Sequence, residues 1–282
     1  MSAIDHAPDR PDTLVIRPPG RFAGLGLKDL WRFRELVLFL TWRDVKVRYK
    51  QTILGASWAL IQPFTTMIVF TVVFNHFGKI VVPGVPYPLF SLSGLALWFY
   101  FANAVNLTSN SLVANSALIT KVYFPRLSVA ISPLLAGLVD LLLALVVVGC
   151  AMAYYGFVPG WQIAFTPLFV LLALATALGV GLLLSALNVR YRDVRYAVPF
   201  LMQIWLYASP IAYPASMVHG TYRTLYSFNP MTGVIDGFRW SLLGTGGISL
   251  GSLAASIGTA LVLLVTGSVY FARTERTFAD VV

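Results

Sequence analysis

Six apolar stretches partition the sequence, near residues 54–76, 90–107, 129–154, 163–187, 197–213 and 250–271. Each is long enough, or nearly so, to cross a hydrocarbon core that takes about 20 helical residues. Hydrocarbon offers backbone N–H and C=O groups no water, so a run of this kind has to satisfy its own hydrogen bonds as a helix. The expected fold is therefore an all-α polytopic membrane protein with six transmembrane helices. Composition agrees: 58% of residues are hydrophobic and 11% charged, against about a quarter charged in a soluble domain. The fifth stretch is short and runs into SPIAYP, where Pro210 and Pro214 break a helix near its outer end.

Lys and Arg divide unevenly between the two sides of such a bundle. Ten basic residues precede the first stretch, and Lys121, Arg126, Arg190, Arg192, Arg195, Arg273 and Arg276 fall on the same side. Lys79, Arg223 and Arg239 stand opposite. A bias of this size places both termini in the cytoplasm. Residues 1–26, with Asp, Arg and Pro scattered through them and no apolar signal-peptide core, read as a partly ordered cytoplasmic tail. Residues 273–282 read as a cytoplasmic C-terminus. Between tail and first span, residues 27–53 predict an amphipathic helix at the membrane interface. Leu30, Phe33, Val37 and Leu40 recur at helical spacing, while Lys28, Arg32 and Glu35 mark another face. Trp31 and Trp42 suit the headgroup level. Arg43, Lys46 and Lys50 follow at i, i+3 and i+7, and Asp44 and Arg48 are spaced to pair at i, i+4. Each cation held near an anionic leaflet contributes about 1 kcal/mol. On these residues alone the segment is either a topology anchor or a helix that docks a partner.

The formal charge of +9 does not indicate nucleic acid, because its cations punctuate apolar runs rather than covering a polar face. No phosphate-binding Walker A loop is encoded: Gly78-Lys79 is followed by Ile80 and lacks the upstream glycine. His6, His76 and His219 are scattered, and no group of Cys, His, Asp and Glu has metal-ligand spacing. The single cysteine, Cys150, reads as a small buried apolar residue. Asp140 is the only charge deep inside a predicted span. A carboxylate there costs about 2.5–3.5 kcal/mol on insertion scales, so it must face protein or water. It is either a pore-facing or gating group, or a packing hydrogen bond to a Ser, Thr, Asn or Tyr of a neighbouring span.

Aromatic residues concentrate in LWFYFANAV, with Trp98, Phe99, Tyr100 and Phe101, and in the fifth stretch, with Trp205 and Tyr207. The following segment adds Tyr213, Tyr222, Tyr226, Phe228 and Trp240. An interfacial aromatic belt is one reading. The other is a slide for sugars, since aromatic faces stack on the C–H faces of pyranose rings. The connection between the fifth and sixth stretches contains IDGFRWSLL, introduced by FNP and ended by GTGG. It predicts one or two half-helices dipping into the outer leaflet, shielded by protein.

RDVKVRYKQTILGASWALIQP, KVYFPRL, NVRYRDVRY, SPIAYP and NPMTGVIDGFRW, in this order, resemble the membrane subunit of bacterial ABC exporters for cell-surface polysaccharides, the ABC-2 type permeases that export O-antigen, capsule or teichoic acid. The resemblance covers residues 27–275. It implies a non-enzymatic, channel-forming homodimer in the inner membrane, served by two copies of a separate ATPase subunit that binds ATP and Mg. The implied substrate is an undecaprenyl-linked polysaccharide. The implied ATPase contacts and coupling residues are Arg43, Lys46, Arg48 and Lys50, then Lys121 and Arg126 in a coupling helix between residues 111 and 128, then Arg190 and Arg192. Trp98, Tyr100, Phe101, Trp205 and Tyr207 are the expected channel aromatics, and Tyr213, Tyr226, Phe228 and Trp240 the expected outer gate. An ABC-2 exporter of a small lipid or drug is the alternative within transport. A membrane-bound glycosyltransferase or ligase would need paired catalytic acids, and Asp193, Glu275 and Asp280 are not paired in sequence. The orientation is testable by thiol labelling of cells carrying Cys150→Ala. Lys79→Cys is expected to react with an impermeant reagent and Arg192→Cys to remain unlabelled; the reverse pattern overturns the orientation.

Overall fold

The structure, a computed structural model, describes residues 27–50, 57–122, 124–244 and 249–275. The tail 1–26, the junction 51–56 and residues 276–282 lie outside the described residues. Every regular element among the described residues is helical: α1 (Leu27–Arg32), α2 (Arg34–Lys50), α3 (Ser57–Phe70), α4 (Tyr87–Ala114), α5 (Ser116–Lys121), α6 (Leu127–Tyr154), α7 (Thr166–Arg190), α8 (Val194–Tyr207), α9 (Thr221–Ser227), α10 (Pro230–Leu243) and α11 (Leu250–Thr274). A π-helical turn, Thr71–Phe77, prolongs α3, and a 3-10 turn, Trp161–Phe165, precedes α7.

Among the described residues, five helices are long and apolar enough to cross a membrane: Leu60–Phe77, Tyr87–Ala114, Leu127–Tyr154, Trp161–Arg190 and Leu250–Thr274. The fifth predicted stretch falls short. Its helix, α8, has 14 residues, about 21 Å at 1.5 Å per residue, against a core of about 30 Å. The chain leaves the helix at Ala208, ahead of Pro210 and Pro214.

α4 is the central post, packed against α6, α7, α3, α10 and α8, and buried along most of its length. α7 and α11 approach backbone to backbone, because Gly179 and Gly267 face each other. A Cβ built at Gly179 would lie 2.6 Å from the Leu263 carbonyl carbon, the small-residue contact by which membrane helices maximise packing. A second apolar cluster closes one end of the bundle and joins Leu40 of α2, Leu112 of α4, Ile119 of α5, Leu127 of α6, Ala186 of α7 and Phe271 of α11. Lys121, Arg126, Arg190 and Arg273 lie on helix ends or connections at this end. Val37 and Leu40 of the apolar set are buried, but the opposite side of α2 is not polar throughout: Leu38, Phe39 and Trp42 are exposed there.

The other end is built around the break after α8. Helix α10 starts at the Asn229 cap, with Pro230 at its first turn, and stops at Gly244 in the left-handed region, φ 65°. It packs against α4, α7 and α11, so the half-helix read from IDGFRWSLL forms and is buried. The carbonyls of the break it covers, residues 208–212, each have a donor. Asn229 Nδ2 donates to the Ala208 carbonyl at 2.8 Å, the Ile211 N–H to Ser209 O at 2.7 Å, and Tyr87 OH to Ala212 O at 2.6 Å. Arg239 donates to the Pro210 carbonyl through Nη1, to Ile211 O through Nη2 at 3.0 Å and to Phe90 O through Nε at 3.0 Å. Arg239, counted from sequence as an outer-loop charge, is thus buried at 4% exposure, with its guanidinium 3.6 Å from the Phe90 ring centroid. Leaving a buried carbonyl without its donor costs about 1–3 kcal/mol. Arg239→Met, which keeps the side-chain volume but no donor, is expected to lower thermal stability in detergent by at least about 3 kcal/mol, and Arg239→Lys by less. Unchanged melting of Arg239→Met would show that the break needs no clamp.

Candidate functional site

A half-open groove of about 420 Å³ runs along the bundle between α3, α4, α6 and α8. Its polar lining is Arg48, Gln62, Asn103, Asn106 and Asp140, and its apolar lining includes Phe99, Tyr100 and Pro199. Asn103 is exposed and makes no side-chain hydrogen bond among the described residues, so its amide faces the groove with donor and acceptor available. Amides and a charge pair on a membrane helix bundle suit a wetted surface, not lipid.

Asp140 sits thirteen residues into α6 from Leu127, about 20 Å along the helix. Its partners come from α2 and not from another long helix: Arg48 Nη1 donates to Oδ2 and Tyr49 OH to Oδ1. Nearer the helix start, Ser132 Oγ donates to Asp44 Oδ2 at 2.8 Å, and Arg43 pairs with Asp44 at 2.8 Å. The ion pairs that form are thus Arg43–Asp44 and Arg48–Asp140. The structure runs its basic end up along α6, which lets one arginine neutralise the intramembrane carboxylate. Burial and the bond to Asp140 raise the Tyr49 pKa above its ordinary value, so the phenol stays a donor.

The expected channel aromatics separate into two groups. Trp98 and Phe101 are buried and pack on Trp205, with ring centroids 6.3 and 5.2 Å away. Trp205 Nε1 donates to Asn229 Oδ1 at 2.8 Å. These three form a knot that fastens α8 to α4, and the buried rings of Trp98 and Phe101 do not meet a solute. Tyr100 is buried but reaches the groove wall, and Tyr207 is 52% exposed. Sequence reasoning missed Tyr196, at 68% exposure, and Phe200, at 63%. With Gln203 and Tyr207 they fall at i, i+4, i+7 and i+11, one face of α8 about 16 Å long. That spacing was present in the sequence. Of the expected outer gate, Tyr213 and Tyr226 stack at 6.2 Å, and Tyr213 OH donates to Tyr207 O at 2.9 Å. Phe228 is exposed nearby in sequence, whereas Trp240 turns to a separate cluster with Trp161 and Phe165, at 6.0 and 5.8 Å.

Comparison with known families matches residues 35–243, from α2 through α10, to the model of the ABC-2 type transporter. The chain belongs to the ABC-2 type transporter family. It is 27% identical to the O-antigen export system permease protein RfbA of Myxococcus xanthus, covering 90% of this chain and 98% of that one. It is 26% identical to the RfbA protein of Klebsiella pneumoniae, over 88% and 95%. It is 24% identical to the polysialic acid transport protein KpsM of Escherichia coli, over 84% and 92%. Family and apolar helices together make it a multi-pass inner-membrane protein.

For an ABC-2 chain, the basic residues expected to meet a partner are displayed in three places. Lys46 and Lys50 are exposed on α2, and Lys121 is exposed at the end of α5. Arg190 and Arg192 are exposed between α7 and α8. Arg126 instead donates to the Glu275 backbone carbonyl and ties the start of α6 to the end of α11. Burial raises the Glu275 pKa against the opposing pull of Arg126. α2 and α5, which supply most of these cations, meet in the apolar end cluster through Leu40 and Ile119. The Arg48–Asp140 pair, with 27% and 17% side-chain exposure, is the charged one among the polar fastenings of α2 to α6. A double-mutant cycle of Arg48→Ala and Asp140→Ala, read by thermal unfolding in detergent, is expected to give a coupling energy of about 1–3 kcal/mol. Additive single effects would mean that the pair does not hold α2 to α6.

Proposed function

We propose that this chain is the channel-forming permease subunit of an ATP-driven exporter, and that it moves undecaprenyl-linked polysaccharide across the inner membrane. The observation that carries the reading is the exposed face Tyr196, Phe200, Gln203 and Tyr207 of α8, set beside the polar groove. Flat aromatic faces accept the C–H faces of many sugars, and an interleaved amide supplies hydrogen bonds without a fixed register. Such a surface holds a glycan weakly at many positions, as a sliding chain requires. The polysaccharide relatives support the substrate class.

In this proposal α8 and the break after it make the remaining membrane crossing, giving six, with both termini in the cytoplasm. Two copies face each other so that the α8 faces and grooves enclose one channel. Two ATPase subunits, which bind ATP and Mg, seat against the basic residues of α2 and α5. Movement there reaches the bundle through the shared apolar cluster and the Arg48–Asp140 fastening. Tyr213 and Tyr226 narrow the outer mouth. The test is surface polysaccharide display in cells carrying Phe200→Ala with Tyr207→Ala. We expect normal membrane levels and about tenfold less displayed glycan, in line with the loss of two stacking contacts of about 0.5–1.5 kcal/mol each. Phe200→Tyr with Tyr207→Phe, which keeps both rings, is expected to stay near the wild type. Full display from the double alanine variant would remove α8 from the glycan path.

A further inference from the structure

The groove is framed by helices that are almost without charge. Together α3, α4, α6 and α8 hold one carboxylate, Asp140, and one basic residue, Arg195. Arg48 enters the groove from α2 and is paired with Asp140, which also accepts from the Tyr49 hydroxyl. One cation and one anion therefore cancel in the groove wall. Towards the break, Asp236 stands 3.7 Å from Arg239, and that pair cancels in the same way. Arg195 lies at the second position of α8, its guanidinium 4.6 Å from the Tyr196 ring centroid and donating to the hydroxyl at 2.7 Å.

In place of charge the groove offers amides. Gln62 and Asn103 line it, are exposed, and make no side-chain hydrogen bond among the described residues. Gln203 adds a third exposed amide on the aromatic face of α8. An amide presents a donor and an acceptor, as a sugar hydroxyl does, whereas a carboxylate or phosphate only accepts. An anion between apolar walls is poorly screened, and membrane paths for anions are lined with rings of Arg or Lys. Here Arg190, Arg192 and Arg195 stand at one end, where α7 passes into α8, and among the described residues no unbalanced cation follows along the groove. A polyanion drawn to that end would be held there, because each step inward exchanges cations for amides. Linkage to a lipid carrier adds negative charge once per chain, but an acidic repeat unit adds it at every step.

We infer that the groove passes a glycan whose repeat unit carries neither carboxylate nor phosphate. This rests on the transport reading above and names the chemical class of its cargo. The first measurement compares surface glycan from cells with and without a deletion of this chain. The glycan lost on deletion is hydrolysed and assayed for acidic sugars and phosphate. Neutral sugars throughout the repeat unit are expected; a carboxylate or phosphate in each repeat overturns the inference. Loss of no glycan sinks the transport reading instead.

The second measurement asks whether the groove makes the selection. Cells are made to build a uronic-acid polymer on the same carrier, and display is compared between Asn103→Lys and Asn103→Asp at matched membrane levels of the chain. With the acidic polymer the lysine variant is expected to display at least about threefold more than the aspartate variant, since only it places a cation on the path. With the cell's own glycan the two are expected to agree within about twofold, because a neutral chain does not sense the sign of the charge. Equal display of the acidic polymer by both variants removes charge selection from the groove. A severalfold loss of the cell's own glycan confined to the aspartate variant marks that glycan as acidic and overturns the inference.

Discussion

Hydrocarbon gives an unpaired carbonyl no water to turn to, and residues 208–214 are where this chain meets that constraint. A helix broken there exposes successive carbonyls in the interior of the bundle. Their side-chain donors come from two separate elements: Tyr87 at the start of α4, and Asn229 at the cap of α10 with Arg239 within it. The break is therefore stable only once α4, α8 and α10 are assembled. Other features follow from this requirement. Gly94 leaves the space that the Arg239 guanidinium fills, and Ser256 of α11 accepts from Gly233 N at 2.9 Å while donating to Asn229 O at 3.2 Å. A buried arginine is acceptable here because it spends its donors on backbone, lies on the Phe90 ring and has Asp236 at 3.7 Å.

The opposite end is assembled on different terms. It is closed by an apolar cluster to which α2 and α5 each contribute a buried residue, and the polar fastenings of α2 lie further in, at Ser132 and Asp140. Apolar contacts are non-directional and tolerate small displacements, while a partly buried ion pair with a supporting tyrosine is costly to separate. The two ends of the bundle differ in stiffness because one is held by directional hydrogen bonds and the other mainly by area.

Much of this was legible in the sequence. Five of the six apolar stretches are helices long enough to span, because length and hydropathy alone decide them. The half-helix α10 was legible too, since Asn229, Pro230 and Gly244 are local signals that act within one turn. What was not legible are contacts between elements far apart in the chain. Asp140 announced a need for a partner, but nothing local says that the partner is Arg48, 92 positions earlier. Arg239 counts as an outside charge in any tally of cations, and only the carbonyls of Phe90, Pro210 and Ile211 explain its burial. The aromatics misled in the same way. A run such as Trp98, Phe99, Tyr100 and Phe101 circles its helix, so most of it points into the core, whereas the spaced set on α8 shares one exposed face.

α8 has little to lose from movement. Val198 and Met202 are its only fully buried side chains among the described residues, while Trp205 and Asn229 fasten its outer end. In a membrane helices are held by packing contacts and polar ties, so a helix with two buried residues is cheap to displace at the end that lacks polar ties. That end carries Arg195, and its next turn brings Pro199 to the groove. The outer end cannot follow freely, since movement there would strip donors from the carbonyls of the break. For the proposed exporter we infer a swing of α8 about its outer end, which changes the width of the groove where a glycan would enter and leaves the outer wall in register. In the proposed exporter, the constraint that fixes the break also supplies the pivot.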